Sequence, residues 1–168
     1  LTECKLLGNQ LRVEGWTIIF NALRDSRDSK ITTWDLYGEG LGPEIAKALA
    51  EYISVSASLT SLSVAYNGII GDGAQQLASA VLAKPNLEVF SGIPLKELRA
   101  DSLTTLGLSG KGLGVPEAIV LADLLRSVSP SLTRVDVSYN SMRDEGVKLL
   151  RDAVSGREGF ELMDDDNE

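Results

Sequence analysis

The chain has 168 residues, 43% of them hydrophobic but only 5% aromatic, which excludes a disordered polymer and points to a core of aliphatic side chains delivered at regular intervals. Net charge is −8, yet residues 1–160 carry 19 acids against 16 bases, so the body has no basic excess of the kind that phosphate neutralisation demands, and no nucleic-acid partner is expected. Cys4 is the only cysteine and there is no Asn-x-Ser/Thr sequon, which favours a reducing interior; no apolar run approaches the ~20 residues that cross a bilayer, so direct membrane insertion is not expected.

In chain order, one pattern recurs: L-x-x-L-x-L-x-x-N-x-L. It runs through Leu1, Cys4, Leu6, Asn9 and Leu11, then Ile31, Trp34, Leu36, Glu39 and Leu41, then Leu59, Leu62, Val64, Asn67 and Ile69. An irregular unit follows at Leu87 and Phe90. The pattern returns at Leu103, Leu106, Leu108, Lys111 and Leu113, and again at Leu132, Val135, Val137, Asn140 and Met142. Successive starts are 30, 28, 28, 16 and 29 residues apart.

Each unit contains two periods. Around its third to seventh positions the alternation is two, which predicts strands near 3–7, 33–37, 61–65, 89–91, 105–109 and 134–138, with the fourth and sixth side chains inward. Further on the spacing becomes helical, as in Ala74, Leu77, Ala78, Val81 and Leu82, and predicts helices near 15–25, 43–54, 73–83, 116–128 and 145–154. Asp72 is placed to cap one of them, Asp144 precedes another, and Pro43 fits a first turn, where its missing N–H costs nothing. One strand-turn-helix unit cannot bury its apolar side alone, but stacked units share a continuous core. The asparagines after the strands can satisfy turning backbone, and Glu39 and Lys111, which replace them in Gly-rich turns, predict more open turns.

These residues resemble the ribonuclease-inhibitor subfamily of leucine-rich repeats, shared with Ran GTPase-activating proteins and the sensor domains of NOD-like receptors. Leu98 to Leu125 and the ending Gly156 to Leu162 bear a looser resemblance to repeat proteins of unicellular algae. The resemblance implies an α/β leucine-rich-repeat solenoid with a parallel concave sheet and convex helices. It implies binding to another protein, as a scaffold, an adaptor or a subunit of a larger assembly without catalytic activity of its own. The alternative it raises is a GTPase-activating protein of the Ran GTPase-activating type, although no residue of that activity can be matched to a position here. The expected organisation is a repeat domain over 1–156, with upstream repeats missing because the chain begins at Leu1, and a cap with an acidic tail over 157–168. The expected compartment is the cytoplasm, or an organelle if a presequence is missing.

The 16 residues from Leu87 to Leu103 are too few for a strand, two turns and a helix, so this repeat is expected to lack its helix. Residues 93–100 are expected to cross as extended chain or a single turn, with Pro94 removing a ladder donor. Phe160 and Leu162 are expected to close the end of the core, and residues 163–168 to form a solvated acidic strip.

The Gly-rich loops at 38–42 and 110–114 lie where a phosphate-binding loop would, but Pro43 and Val115 stand where a dinucleotide fingerprint needs glycine, and no Gly-Lys-Ser/Thr occurs. With no histidine, a lone Cys4 at an inward position and dense carboxylates only at 164–166, neither catalytic residues nor a metal, cofactor or small-molecule substrate is expected. What remains is the outward grid: Glu3, Thr33, Ser61, Val89, Thr105 and Arg134 at the third position, Lys5, Asp35, Ser63, Ser91, Gly107 and Asp136 at the fifth, Leu7, Tyr37, Ala65, Ser109 and Ser138 at the seventh. Its larger groups nominate Asp35, Tyr37 and Tyr66, with Arg134, Asp136 and Tyr139, as protein-binding residues, because tyrosine buries area at low entropy cost.

Overall fold

The structure is a computed structural model that describes residue 4, residues 6–26 and residues 28–166. In chain order the elements are α1 (Arg12–Asp25), β1 (Thr33–Asp35), α2 (Ala46–Val55), β2 (Ser61–Ser63), α3 (Gly71–Leu82), β3 (Val89–Phe90), β4 (Ile93–Pro94), α4 (Leu95–Arg99), β5 (Thr105–Gly107), α5 (Val115–Ser127), β6 (Arg134–Asp136), α6 (Arg143–Val154) and β7 (Glu161–Met163). Pro43 opens a short 3₁₀ turn that leads into α2. The expected strand at 3–7 falls partly outside the described residues.

The strands line one side of the molecule and the helices pack along the other, α1 on α2, α2 on α3, α3 on α5 and α5 on α6. Parallel pairing keeps the repeat register: Trp34 lies opposite Leu62, Leu106 opposite Val135 and Val135 opposite Leu162. The inward set is buried as the pattern requires, with Leu36, Leu62, Leu108, Val135 and Val137 in one core with Leu49, Leu77, Leu121 and Leu150 of the helices. That core is not wholly aliphatic. Trp16, Phe20, Trp34 and Tyr52 form an aromatic cluster at its start, Trp16 edge-on to Trp34 at 5.8 Å, and the Trp34 indole N–H donates to the Tyr52 hydroxyl at 3.2 Å.

The expected parallel sheet is interrupted. One sheet has the order β1-β2-β3-β4 and a second the order β5-β6-β7. Within the first, β3 and β4 pair antiparallel, Phe90 opposite Ile93. Two residues connect them, and Ser91 at φ 49° with Gly92 at φ 81° provides the two left-handed centres of a tight hairpin turn. The short repeat has no full-length helix: residues 95–99 make the single turn expected within 93–100, here α4, with Leu95 and Leu98 three apart and buried, so the repeat is truncated but not strictly helix-less. Pro94 ends β4 without an N–H, and no ladder joins β4 to β5 among the described residues.

Arg99 ends α4 and donates to the carbonyls of Val81, Leu82, Pro85 and Leu87, so it closes the end of α3; burial lowers its pKa. Asp72 and Asp144 lie inside the first turns of α3 and α6 and make no side-chain cap bond, so they act there through the helix dipole. The acidic ending also departs from expectation. β7 continues the second sheet, and Asp164, in line with inward Val137, is 2% exposed and held by Arg151 through two bonds of 2.9 Å.

Candidate functional site

The turns that follow the strands are built by asparagine. The Asn67 amide donates to Leu36 O at 2.6 Å and Val64 O at 2.9 Å, and its oxygen accepts from Leu41 N at 3.2 Å, so one side chain ties its own turn to the preceding one. Asn140 repeats the arrangement, donating to Leu108 O and Val137 O and accepting from Lys111 N and Leu113 N. The turns at Glu39 and Lys111 are therefore closed, not open as expected, because the asparagine of the following unit serves them. Glu39 itself reaches back one unit and accepts from Gly8 N at 3.0 Å and the Trp16 indole at 3.3 Å.

To let the asparagine point inward, the residue before it takes a left-handed backbone: Tyr66 has φ 61° and Tyr139 φ 54°. Their rings are thereby thrown outward, 64% and 65% exposed. Tyr37, 51% exposed, lies parallel to Tyr66 with ring centroids 5.8 Å apart and an interplanar angle of 11°. Asp35, at the end of β1, fixes the approach to Tyr37 by accepting its N–H at 3.0 Å. The Tyr37 ring and the backbone and Cβ of Tyr66 lie against the turn of a distant unit. Tyr66 N donates to Gly112 O at 2.9 Å, and a Cβ added at Gly112, itself at φ 70°, would lie 3.3 Å from Tyr37 Cε2.

Of the six nominated residues, Asp35, Tyr37 and Tyr66 thus come together. Arg134, Asp136 and Tyr139 form a second group, tied into the chain around them. Arg134 pairs with Glu161 at 3.0 Å, Asp136 accepts from the N–H and hydroxyl of Ser138, and Tyr139 N donates to Asp165 at 2.5 Å. The outward grid is shorter than expected. The third and fifth positions are mostly open, but Ala65 and Ser138 at the seventh are buried because the chain has already turned, and Glu3 and Lys5 lie outside the described residues.

Ser91 is buried too. Its hydroxyl accepts from Val64 N at 3.0 Å, standing in for the carbonyl a regular ladder would offer, and donates to Glu117 Oε1 at 2.7 Å. Glu117 Oε2 accepts from Gly114 N at 2.9 Å across the first turn of α5. Glu117 is 1% exposed, and its burial raises the carboxyl pKa against the opposing hydrogen bonds from Ser91 and Gly114. Sequence reasoning passed over this residue, although a glutamate three places after a helix-entry glycine is a capping signal. Tyr66, Ile69, Val115, Pro116 and Glu117 line a crevice of about 100 Å³ at this seam. Cys4 is half-buried against the core. Among the described residues no group of histidine, cysteine or carboxylate side chains could hold a metal ion, and no helix is long and apolar enough to cross a membrane.

Residues 55–78 and 128–150 match the Leucine Rich repeat family. These two stretches run from the last residue of α2 and the residue after α5 through β2 and β6 into α3 and α6, so the match falls on two regular units, those that carry Tyr66 and Tyr139. Two stretches of the chain thus match leucine-rich repeats, within a structure of helices and mostly parallel strands. Repeats of this class commonly serve as protein–protein interaction modules and are generally not catalytic.

Proposed function

We propose that this chain is a protein-binding scaffold or adaptor, a solenoid of the ribonuclease-inhibitor type whose docking surface is centred on Tyr37 and Tyr66. The observation that carries the reading is the exposed, parallel pair of tyrosine rings beside the Gly112 turn. Aromatic side chains held in place before binding lose little entropy when a partner covers them, and such residues dominate interface energetics. Asp35 and Thr33 on β1 supply the polar border next to the pair.

With a partner in hand, Tyr37→Ala and Tyr66→Ala each weaken binding by about 1 kcal/mol or more while the melting temperature stays nearly constant, since both rings are largely outside the core. Titration calorimetry beside thermal denaturation reads both quantities. Unchanged affinity in both variants, with loss on Lys96→Ala, moves the docking surface to the α4 side and ends the tyrosine reading. Arg99 is unsuited to that comparison because it holds the end of α3. Stimulated GTP hydrolysis with a panel of small GTPases would replace the non-catalytic reading by the GTPase-activating one.

A further inference from the structure

The helices stack through a glycine. Gly73 on α3 and Gly146 on α6 both hold the fifteenth position of their units. A Cβ built on Gly73 would lie 2.8 Å from Pro43 Cβ, and one on Gly146 2.9 Å from Ala118 Cβ, so this position is where a helix takes the preceding unit against it. Pro43 opens the turn into α2 and Ala118 lies on α5. α1 has the same glycine with no preceding unit on it: Gly15 holds the fifteenth position of the first unit, and the nearest atoms its Cβ would meet all belong to Leu11, one turn earlier. The eighteenth position repeats the contrast. Ala48 on α2 is buried beside Thr17 and Asn21 of α1, Val120 on α5 is buried and Leu149 on α6 half-buried, while Gln76 on α3, which is polar, is exposed. Ile18 on α1 is apolar and yet 70% exposed. Gly15, Ile18 and exposed Ala22, at spacings of three and four, thus form a helix-docking face that no element covers among the described residues.

We propose that this face is an interface between two copies of the chain, with α1 of one packed antiparallel on α1 of the other. A twofold axis between Ile18 and Ile19 sets Gly15 of one copy opposite Ala22 of the second, so small residues admit close approach while the isoleucines fill the middle. The same axis sets Arg12 opposite Asp25 of the second copy. These charges fit: Arg12 has no ion-pair partner among the described residues, and the Asp25 side chain, although bonded to Arg24, is 69% exposed. A parallel twofold pairing would instead set Arg12 on Arg12 and Asp25 on Asp25. Head-to-tail stacking is disfavoured because the far end of the stack is charged. Lys148 and Asp152 hold on α6 the positions by which Thr17 and Asn21 face α2, and beside them Arg151 pairs with Asp164 and Asp166. Covering those ions with Ile18 would cost their hydration. The net charge of −8 lies mostly away from the contact, since residues 1–30 hold five bases and four acids while residues 161–168 hold five acids. The face is on the helix side and does not depend on the tyrosine pair.

The test is sedimentation equilibrium of the whole chain from about 1 µM to about 1 mM, at about 0.15 M salt, where charges more than ~8 Å apart are largely screened. The expected result is a monomer–dimer equilibrium with no larger species. Ile18→Glu then weakens the dimer about tenfold or more and leaves the melting temperature unchanged, because Ile18 is outside the core, while Tyr37→Ala leaves the dimer unaffected. Arg12→Glu also weakens it, and Arg12→Glu combined with Asp25→Arg restores it, since the pair across the axis is then reversed. A monomer throughout the range, growth beyond the dimer, a dimer indifferent to Ile18→Glu, or a charge reversal that fails to restore association overturns the proposal. The association state is read first on the wild type, so it decides the matter even if a variant fails to fold.

Discussion

Glu117 has no ion-pair partner among the described residues, and its carboxylate is held only by the Ser91 hydroxyl and backbone N–H groups. A buried carboxylate in this position is better neutral than charged, because hydrogen bonds offset its lost hydration only in part. Its folded pKa is raised above 4.5, the ordinary value, so the native state holds this proton more tightly than the unfolded chain does. The corresponding stability is fully present below pH 4.5 and is lost as pH rises through the folded value. Glu117→Gln keeps an acceptor for Gly114 N–H and removes the charge. At pH 7 it is expected to match or exceed the wild type by about 1 kcal/mol, and the difference is expected to close as pH falls toward 4.5. Urea denaturation of both proteins across that range measures it, and a variant less stable at neutral pH by several kcal/mol would show that the carboxylate is needed as an anion.

At the scale of elements, buried Asn67 and half-buried Asn140 weld neighbouring turns, and the strength of the weld can be measured. Asn67→Ala strips partners from Leu36 O, Val64 O and Leu41 N at once, and each buried group left unpaired costs about 1–3 kcal/mol. A loss of about 3 kcal/mol or more is expected. Asn9→Ala, whose amide bonds only its own exposed turn, should cost under about 1 kcal/mol. Equal losses in chemical denaturation would remove the cross-unit role. The same asparagines explain why so much was legible in the sequence: each marks the end of a strand, and the leucine spacing before it fixes which side chains face the core.

The irregular unit was not legible in that way. Val89, Phe90 and Ser91 continue the outward-inward alternation, so the repeat register conceals a hairpin whose only local sign is Ser91-Gly92 between Phe90 and Ile93. The Ser-Gly pair accepts two positive φ values, and that local preference overrode the repeat. Asp164 was hidden for the opposite reason. It reads as one of a run of acids, and the paired cation that makes an inward carboxylate tolerable, Arg151, stands thirteen residues earlier on α6. The outward tyrosines were legible as residue types, but their stacking was not, since it depends on Gly112 coming beneath them from another unit.

For the molecule as a whole, the question is how two separate sheets behave as one folding unit. In a stack of repeats each unit contacts its neighbours, and cooperativity is carried by those interfaces. Here the strand ladder stops between β4 and β5, so the halves are joined by α3 packed on α5, by Tyr66 N bonded to Gly112 O, and by the Val64–Ser91–Glu117–Gly114 chain of hydrogen bonds. Both tryptophans, Trp16 and Trp34, lie before this seam, whereas helices lie on both sides of it. Tryptophan fluorescence therefore reports the first half alone and far-ultraviolet circular dichroism reports both. In the wild type the two denaturation curves are expected to coincide, as for a single cooperative unit. Ser91→Ala combined with Glu117→Ala leaves Val64 N and Gly114 N without their partners, at a cost of about 1–3 kcal/mol for each, all of it located at the seam. In that double variant the fluorescence and dichroism midpoints are expected to separate. If they remain together while overall stability falls, the packing of α3 on α5 alone couples the halves, and the buried polar chain serves only to stabilise the hairpin.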